Sequence, residues 1–134
     1  MAERLALRMG IGYDSHRFEP GGPLVLGAAA LGDIGGMFPD TDPVNRGRDS
    51  IEMLILAVAA VERDGWRVGQ LDVVVITETP KIAPHRPAMR ERIAAAVGCD
   101  ARDVSIKGKT NEGMGFIGRG EGVACLATAT LYRA

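Results

Sequence analysis

Asp14 and His16 stand two apart in the run GYDSHRF at 12–18, so on an extended backbone their side chains leave the same face. A hard carboxylate oxygen and an imidazole nitrogen on one face suit Zn²⁺. Two donors do not complete a site, and an Asp-x-His pair taken alone is more often a solvated loop. The other histidine, His85, sits between Pro84 and Arg86 near a helix start and reads as structural. A second acidic stretch, with Asp33, Asp40 and Asp42 among Pro39 and Pro43, would be repulsive without a cation or amide donors. Asx turns and a helix cap formed by Asp40 and Asp42 would satisfy the same residues. The third candidate is KGKTNE at 107–112, followed by glycine at 113, 115, 118, 120 and 122. Lys107 and Lys109 offer ammonium groups, Thr110 a hydroxyl, the glycines open backbone N–H groups, and Glu112 a carboxylate able to hold Mg²⁺. These are parts for a diphosphate. The GxxxxGK[ST] spacing of a P-loop is absent, and such a run also reads as a wide turn.

The elements that must hold these residues follow from pattern. The loose alternation at 4–12 predicts a first strand that breaks at glycines into a loop carrying Tyr13, Asp14, Ser15 and His16. A turn at 20–23 returns into a short strand at 24–27. Ile51, Leu54, Ile55, Val58 and Val61 recur at helical spacing, with Asp49 and Glu52 as a capping box and Gly65 as the stop. Met53, Leu56, Ala57 and Ala60 fill the other faces, so cover on more than one side is expected, by a sheet and by another subunit. LDVVVIT at 71–77 has the β-branched run of a central strand, ended by Pro80. A second helix is predicted from about Pro87, turning Met89, Ile93 and Val97 inward and stopping at Gly98. Strands at 104–107 and 123–132 complete an α+β sandwich with helices on one face of a sheet.

Composition bounds the possibilities. The 134 residues allow one domain, 1–134, against a prior of roughly 150 residues per domain. Sixteen Lys and Arg against seventeen Asp and Glu leave a net charge of −1, so any phosphate recognition must be local. No basic face or aromatic stacking array supports nucleic-acid binding. The longest strongly apolar stretch, 53–61, is half of the roughly 18 residues a spanning helix needs, so a soluble, unexported, cytoplasmic protein is expected. Cys99 and Cys125 match neither a disulfide framework nor a CxxC motif. With aromatics at 4% and glycine near twice the usual share of about 7%, the core is built from small side chains and calls for a partner subunit.

Four segments together carry a resemblance: GYDSHRF at 12–18, ALGDIGGMFPDTDP at 30–43, ETPKIAPHRPAM at 78–89 and KTNEGMGFIGRGEGVA at 109–124. They span nearly the whole chain in order, and it resembles the 2-C-methyl-D-erythritol 2,4-cyclodiphosphate synthase family of the non-mevalonate isoprenoid pathway. The resemblance implies an α+β homotrimer with active sites at its subunit interfaces. It assigns a transition metal, zinc in the first instance, to Asp14 and His16, with Ser15 between them at the substrate. It maps the substrate loop onto Asp33, Ile34, Gly35, Phe38, Pro39, Asp40, Thr41 and Asp42. The cytidine pocket maps onto Thr77, Glu78, Thr79, Pro80, Lys81, Ile82 and Ala83, largely through main chain. The phosphate side falls to Lys109, Thr110, Asn111 and Glu112, with Phe116 and Arg119 beyond, and Glu112 would hold Mg²⁺ or Mn²⁺. Family members often carry Thr where this chain has Lys109.

One departure concerns the metal. The family pattern places a longer segment between the parts matched by 24–27 and 28–32, with a His-Ser-Asp motif and the His that completes the zinc site. Here Gly27 runs into Ala28, and a strand joined directly to a helix end is locally inconsistent, which argues for a segment missing at that junction over a natural deletion. The implied reaction is cyclisation of 4-diphosphocytidyl-2-C-methyl-D-erythritol 2-phosphate with release of CMP, Thr110 and Lys109 being its catalytic residues. The lead at 2–8 permits fusion behind another pathway enzyme. Two rivals share these residues: a non-catalytic trimer binding cytidine nucleotides or prenyl diphosphates, and a structural oligomer whose glycine loops pack against neighbours.

Overall fold

The computed structural model describes residues 6–18, 42–45 and 48–133. Four strands, β1 (Leu7–Arg17), β2 (Trp66–Ile76), β3 (Val104–Lys109) and β4 (Gly122–Arg133), form one sheet in the order β1-β4-β2-β3. The β2–β3 pair is parallel and the other two pairs are antiparallel. Two helices, α1 (Ser50–Arg63) and α2 (Arg86–Val97), and a single turn of helix, α3 (Gly115–Gly118), connect the strands. This is the α+β arrangement that the sequence predicts.

Both long helices lie on the same face. Leu54 and Val58 of α1 and Ile93, Ala94 and Val97 of α2 enter one core with Leu71, Val73, Val75, Val104, Ile106, Val123, Cys125 and Ala127 of the sheet. Strand side chains alternate, so the residues between these point to the opposite face, which α1 and α2 leave uncovered. Asp49 caps α1, its carboxylate accepting from Ile51 N–H at 2.9 Å. Glu52 takes the Arg48 guanidinium at 3.0 Å. Gly98 ends α2 in the left-handed conformation at φ 83°, and its N–H donates to Ala94 O.

Several boundaries differ from expectation. The predicted loop at Tyr13–His16 is strand: β1 stays in register with β4 as far as Arg17 opposite Gly122. Neither Gly10 nor Gly12 adopts a positive φ, so these glycines sit in extended backbone and do not break it. The strand predicted at 71–77 starts at Trp66, whose ring is flanked by the Arg8 and Arg133 guanidinium carbons at 4.8 and 4.7 Å. A bulge at Gly69 accommodates that extension where the Tyr132 ring packs on the backbone. β3 runs on to Lys109, and the predicted glycine loop contains α3. The predicted strand at 24–27 and the Gly27–Ala28 junction lie outside the described residues.

Candidate functional site at one end of the sheet

The chemistry-bearing residues of the described chain gather at one end of the sheet. Because β2 and β3 are parallel, their carboxyl ends coincide; because β4 is antiparallel to β1 and β2, its start lies beside them. One row across the sheet runs Ser15, Ala124, Ile76, Lys109.

On β1, His16 Nε2 lies 2.7 Å from Asp14 Oδ2. Their register partners are Val123 and Cys125, both core residues, so the pair lies on the helix-side face of the sheet. An edge position keeps it reachable, the Asp14 side chain 28% and the His16 side chain 59% exposed. A carboxylate and an imidazole converging this closely are a donor set that fits a divalent transition metal as two of its ligands. No group of three His, Cys, Asp or Glu able to hold a metal exists among the described residues, so a complete metal site here would draw a third donor from outside them. Gly122 makes the approach possible: a Cβ there would collide with the carbonyl of His16.

Beyond β2, Thr77 is buried, its N–H donating to Lys109 O at 2.9 Å and its hydroxyl to Thr79 O at 2.6 Å. The Thr79–Pro80 peptide is cis. Lys81 is exposed, Ile82 enters the core, and Ala83 opens the short 3-10 turn Ala83–His85 before α2. Ile82 packs against the backbone of Gly108, where a Cβ would come within 2.7 Å of the Ile82 Cβ.

Beyond β3, Lys109 and Thr110 are exposed. Thr110 Oγ1 accepts from Glu112 N–H at 3.3 Å, and Glu112 adopts a positive φ of 54°. The backbone N–H groups here are not all open, as the sequence suggested: Asn111 N–H and Gly113 N–H both donate to Glu78 Oε1, at 2.9 and 3.3 Å. Glu112 keeps an exposed carboxylate, a fit for a magnesium-type ion that draws its other oxygens from phosphate and water. Phe116 is partly exposed, and Arg119 pairs with Glu121 at 3.2 Å. Lys107, offered by the sequence as a phosphate charge, pairs with Asp72 on β2 at 2.6 Å.

Of the acidic loop, Asp42 accepts from Val44 N–H at 3.1 Å and so caps the 3-10 turn Pro43–Asn45, the Asx role open to it from sequence. Asp33, Ile34, Gly35, Phe38, Pro39, Asp40 and Thr41 lie outside the described residues. His85 is exposed at the start of α2. Burial and the nearby Asp103 carboxylate push the Cys99 thiol up, which leaves it mostly protonated at neutral pH. Sequence reasoning placed Glu78 in a base pocket and missed its side-chain role, because nothing in the local pattern announces which amides a carboxylate two residues past a strand will meet.

The chain is similar to known proteins along nearly its whole length. The chain is 49% identical over 156 aligned positions to the 2-C-methyl-D-erythritol 2,4-cyclodiphosphate synthase of Gemmatimonas aurantiaca, covering 95% of this chain and 94% of that protein. It is 41% identical over 157 positions to the enzyme of that name from Escherichia coli O139:H28, covering 96% and 99%. Those alignments are longer than the 134 residues of the chain, so both relatives carry positions it lacks. Among solved structures, the bifunctional IspDF of Campylobacter jejuni superposes with a TM-score of 0.90 at 28% identity, over 98% of this chain and 43% of that one. The synthase of Plasmodium vivax gives 0.80 at 28% identity, over 96% and 99%. A CDP-bound 2C-methyl-D-erythritol-2,4-cyclodiphosphate synthase gives 0.79 at 29% identity, over 92% and 99%. Residues 25–132 match the YgbB family, and with relatives this similar along nearly the whole length, the chain belongs to that family.

Proposed function

We propose that this chain closes 4-diphosphocytidyl-2-C-methyl-D-erythritol 2-phosphate to 2-C-methyl-D-erythritol 2,4-cyclodiphosphate, the reaction for which its relatives are named. The observation that carries the reading is the shared sheet end, where Ser15, which stands between Asp14 and His16, and Lys109, which opens the Lys109–Glu112 turn, lie on one cross-strand row. In this reaction a 2-phosphate oxygen bonds to the β-phosphorus, the bond from that phosphorus to the bridging oxygen breaks, and CMP leaves with the electron pair. The nucleophile belongs to the substrate, so the protein needs none of its own. What it must do is bring anionic groups together and neutralise them.

Lys109 supplies a point charge beside the diphosphate. Thr110, its oxygen already accepting from Glu112 N–H, has its own hydrogen free to donate to a phosphoryl oxygen of the in-line transition state. The segment Thr77–Ala83 lines the cytidine side through its main chain, with Phe116 and Arg119 at the margin. Zinc or a similar ion held by Asp14 and His16, with magnesium or manganese at Glu112, supplies further positive charge against the phosphates.

The site is shared between chains in this reading. Asp14 and His16 lie on one edge strand and Lys109 on the other, with β4 and β2 between, a span of about 14 Å at roughly 4.8 Å per strand. One diphosphate does not bridge that gap, whereas a neighbouring chain can bring the complementary half. The uncovered sheet face supports a homotrimer, and the match to a two-function chain supports fusion or association with a preceding pathway enzyme in some members. Cys99 and Cys125 form no disulfide, which suits the cytoplasm. The test is CMP release from the substrate with Zn²⁺ and Mg²⁺ added. Stoichiometric CMP and cyclodiphosphate are expected; CDP binding without turnover would replace the cyclase with a nucleotide-binding trimer.

A further inference from the structure

The β2–β3 ladder is regular to Ile76 opposite Lys109 and makes one more backbone bond, Thr77 N–H to Lys109 O. A parallel ladder would next send Asn111 N–H to Thr77 O. Instead Asn111 N–H goes to the carboxylate of Glu78, and Gly113 N–H joins it on the same oxygen. The Glu78 side chain thus continues the ladder past the point where the two backbones part. It fixes the turn in which Glu112 adopts φ 54° and Gly113 φ 74°, a conformation that costs energy at a non-glycine residue unless its surroundings hold it. That turn presents Thr110, whose hydroxyl oxygen is itself held by Glu112 N–H.

We propose that Glu78 is a positioning residue: its carboxylate locks the 110–113 turn so that the Thr110 hydroxyl faces the transferring phosphoryl group, and it joins the cytidine loop to the phosphate loop. This rests on the cyclase reading for its kinetic consequence, though not for the contact itself. A carboxylate accepting two backbone N–H groups does so as an oxygen acceptor, and the amide oxygen of glutamine can accept the same pair. A side chain one methylene shorter cannot reach both.

The test compares Glu78→Gln, Glu78→Asp and Glu78→Ala with Thr110→Ala and the double variant Glu78→Ala/Thr110→Ala, reading CMP release and amide hydrogen exchange. Glu78→Gln should stay within about threefold of the parent kcat, while Glu78→Asp and Glu78→Ala should lose roughly tenfold or more in kcat with little change in KM. Adding Glu78→Ala to Thr110→Ala should cost less than about twofold, since the residue acts through Thr110. Exchange at Asn111 and Gly113 should quicken in Glu78→Ala and Glu78→Asp and stay slow in Glu78→Gln. Undisturbed exchange in Glu78→Asp, multiplicative kinetic losses, or a glutamine variant as poor as alanine would each overturn the proposal. Should the alanine variant not fold, Glu78→Asp against Glu78→Gln decides. A parent chain that releases no CMP defeats the cyclase reading, and the exchange data still judge the contact.

Discussion

Gly122 controls the Asp14–His16 half of the candidate site through the space it leaves. It begins β4 opposite Arg17, and the carbonyl of His16 occupies the volume that a Cβ would need. Gly122→Ala must therefore push the end of β1 outward, carrying Asp14 and His16 with it, at a cost of about 1–3 kcal/mol for an overpacked contact. The expected outcome is weaker Zn²⁺ binding by calorimetry together with a lowered melting temperature. Gly10 on the same strand is the control, because a Cβ there meets nothing within 4 Å. Gly10→Ala should leave metal affinity unchanged. Equal affinity in Gly122→Ala would show that the metal pair does not depend on the close approach of the two strands.

At the scale of elements, α1 is held over the sheet by the Leu54, Ala57 and Val58 face and started by Asp49. Removing the cap with Asp49→Ala leaves Ile51 N–H without its carboxylate acceptor and should cost about 1 kcal/mol in urea unfolding, without altering CMP release per folded molecule. A cost near zero would mean that packing alone sets where α1 begins. The helices were legible from sequence because caps, stops and apolar spacing are local: Asp49, Pro87 and Gly98 act within one turn. The strands were legible in kind and misjudged in extent. Whether Tyr13–Arg17 and Trp66–Gln70 join a ladder depends on β4, which is far along the chain and supplies their partners. The same holds for the site. Asp14 and His16 share a face because of period-two geometry, which spacing reveals, whereas Glu78 finds Asn111 and Gly113 across 33 and 35 residues through a parallel register that no spacing encodes.

For the whole molecule, the decisive feature is the sheet face that α1 and α2 leave uncovered. Leu7, Met9, Ile11 and Tyr13 alternate onto it from β1, Met9 79% and Ile11 72% exposed, and Tyr132 of β4 lies opposite Leu7. An apolar stripe of this kind marks a contact surface. Under the shared-site reading the contact and the chemistry rise or fall together, because one chain holds Asp14–His16 and Lys109 too far apart for one diphosphate. Ile11→Asp places a charge on that face without touching the helix-side core, so each chain should fold as before by circular dichroism. Sedimentation should fall from three chains to one chain of 14.2 kDa, and CMP release should fall by at least a hundredfold, roughly the loss of 3 kcal/mol of transition-state stabilisation. The pairing of those two losses is the point of the experiment. A monomeric variant that still turns over would place the whole reaction within one chain and end the shared-site reading.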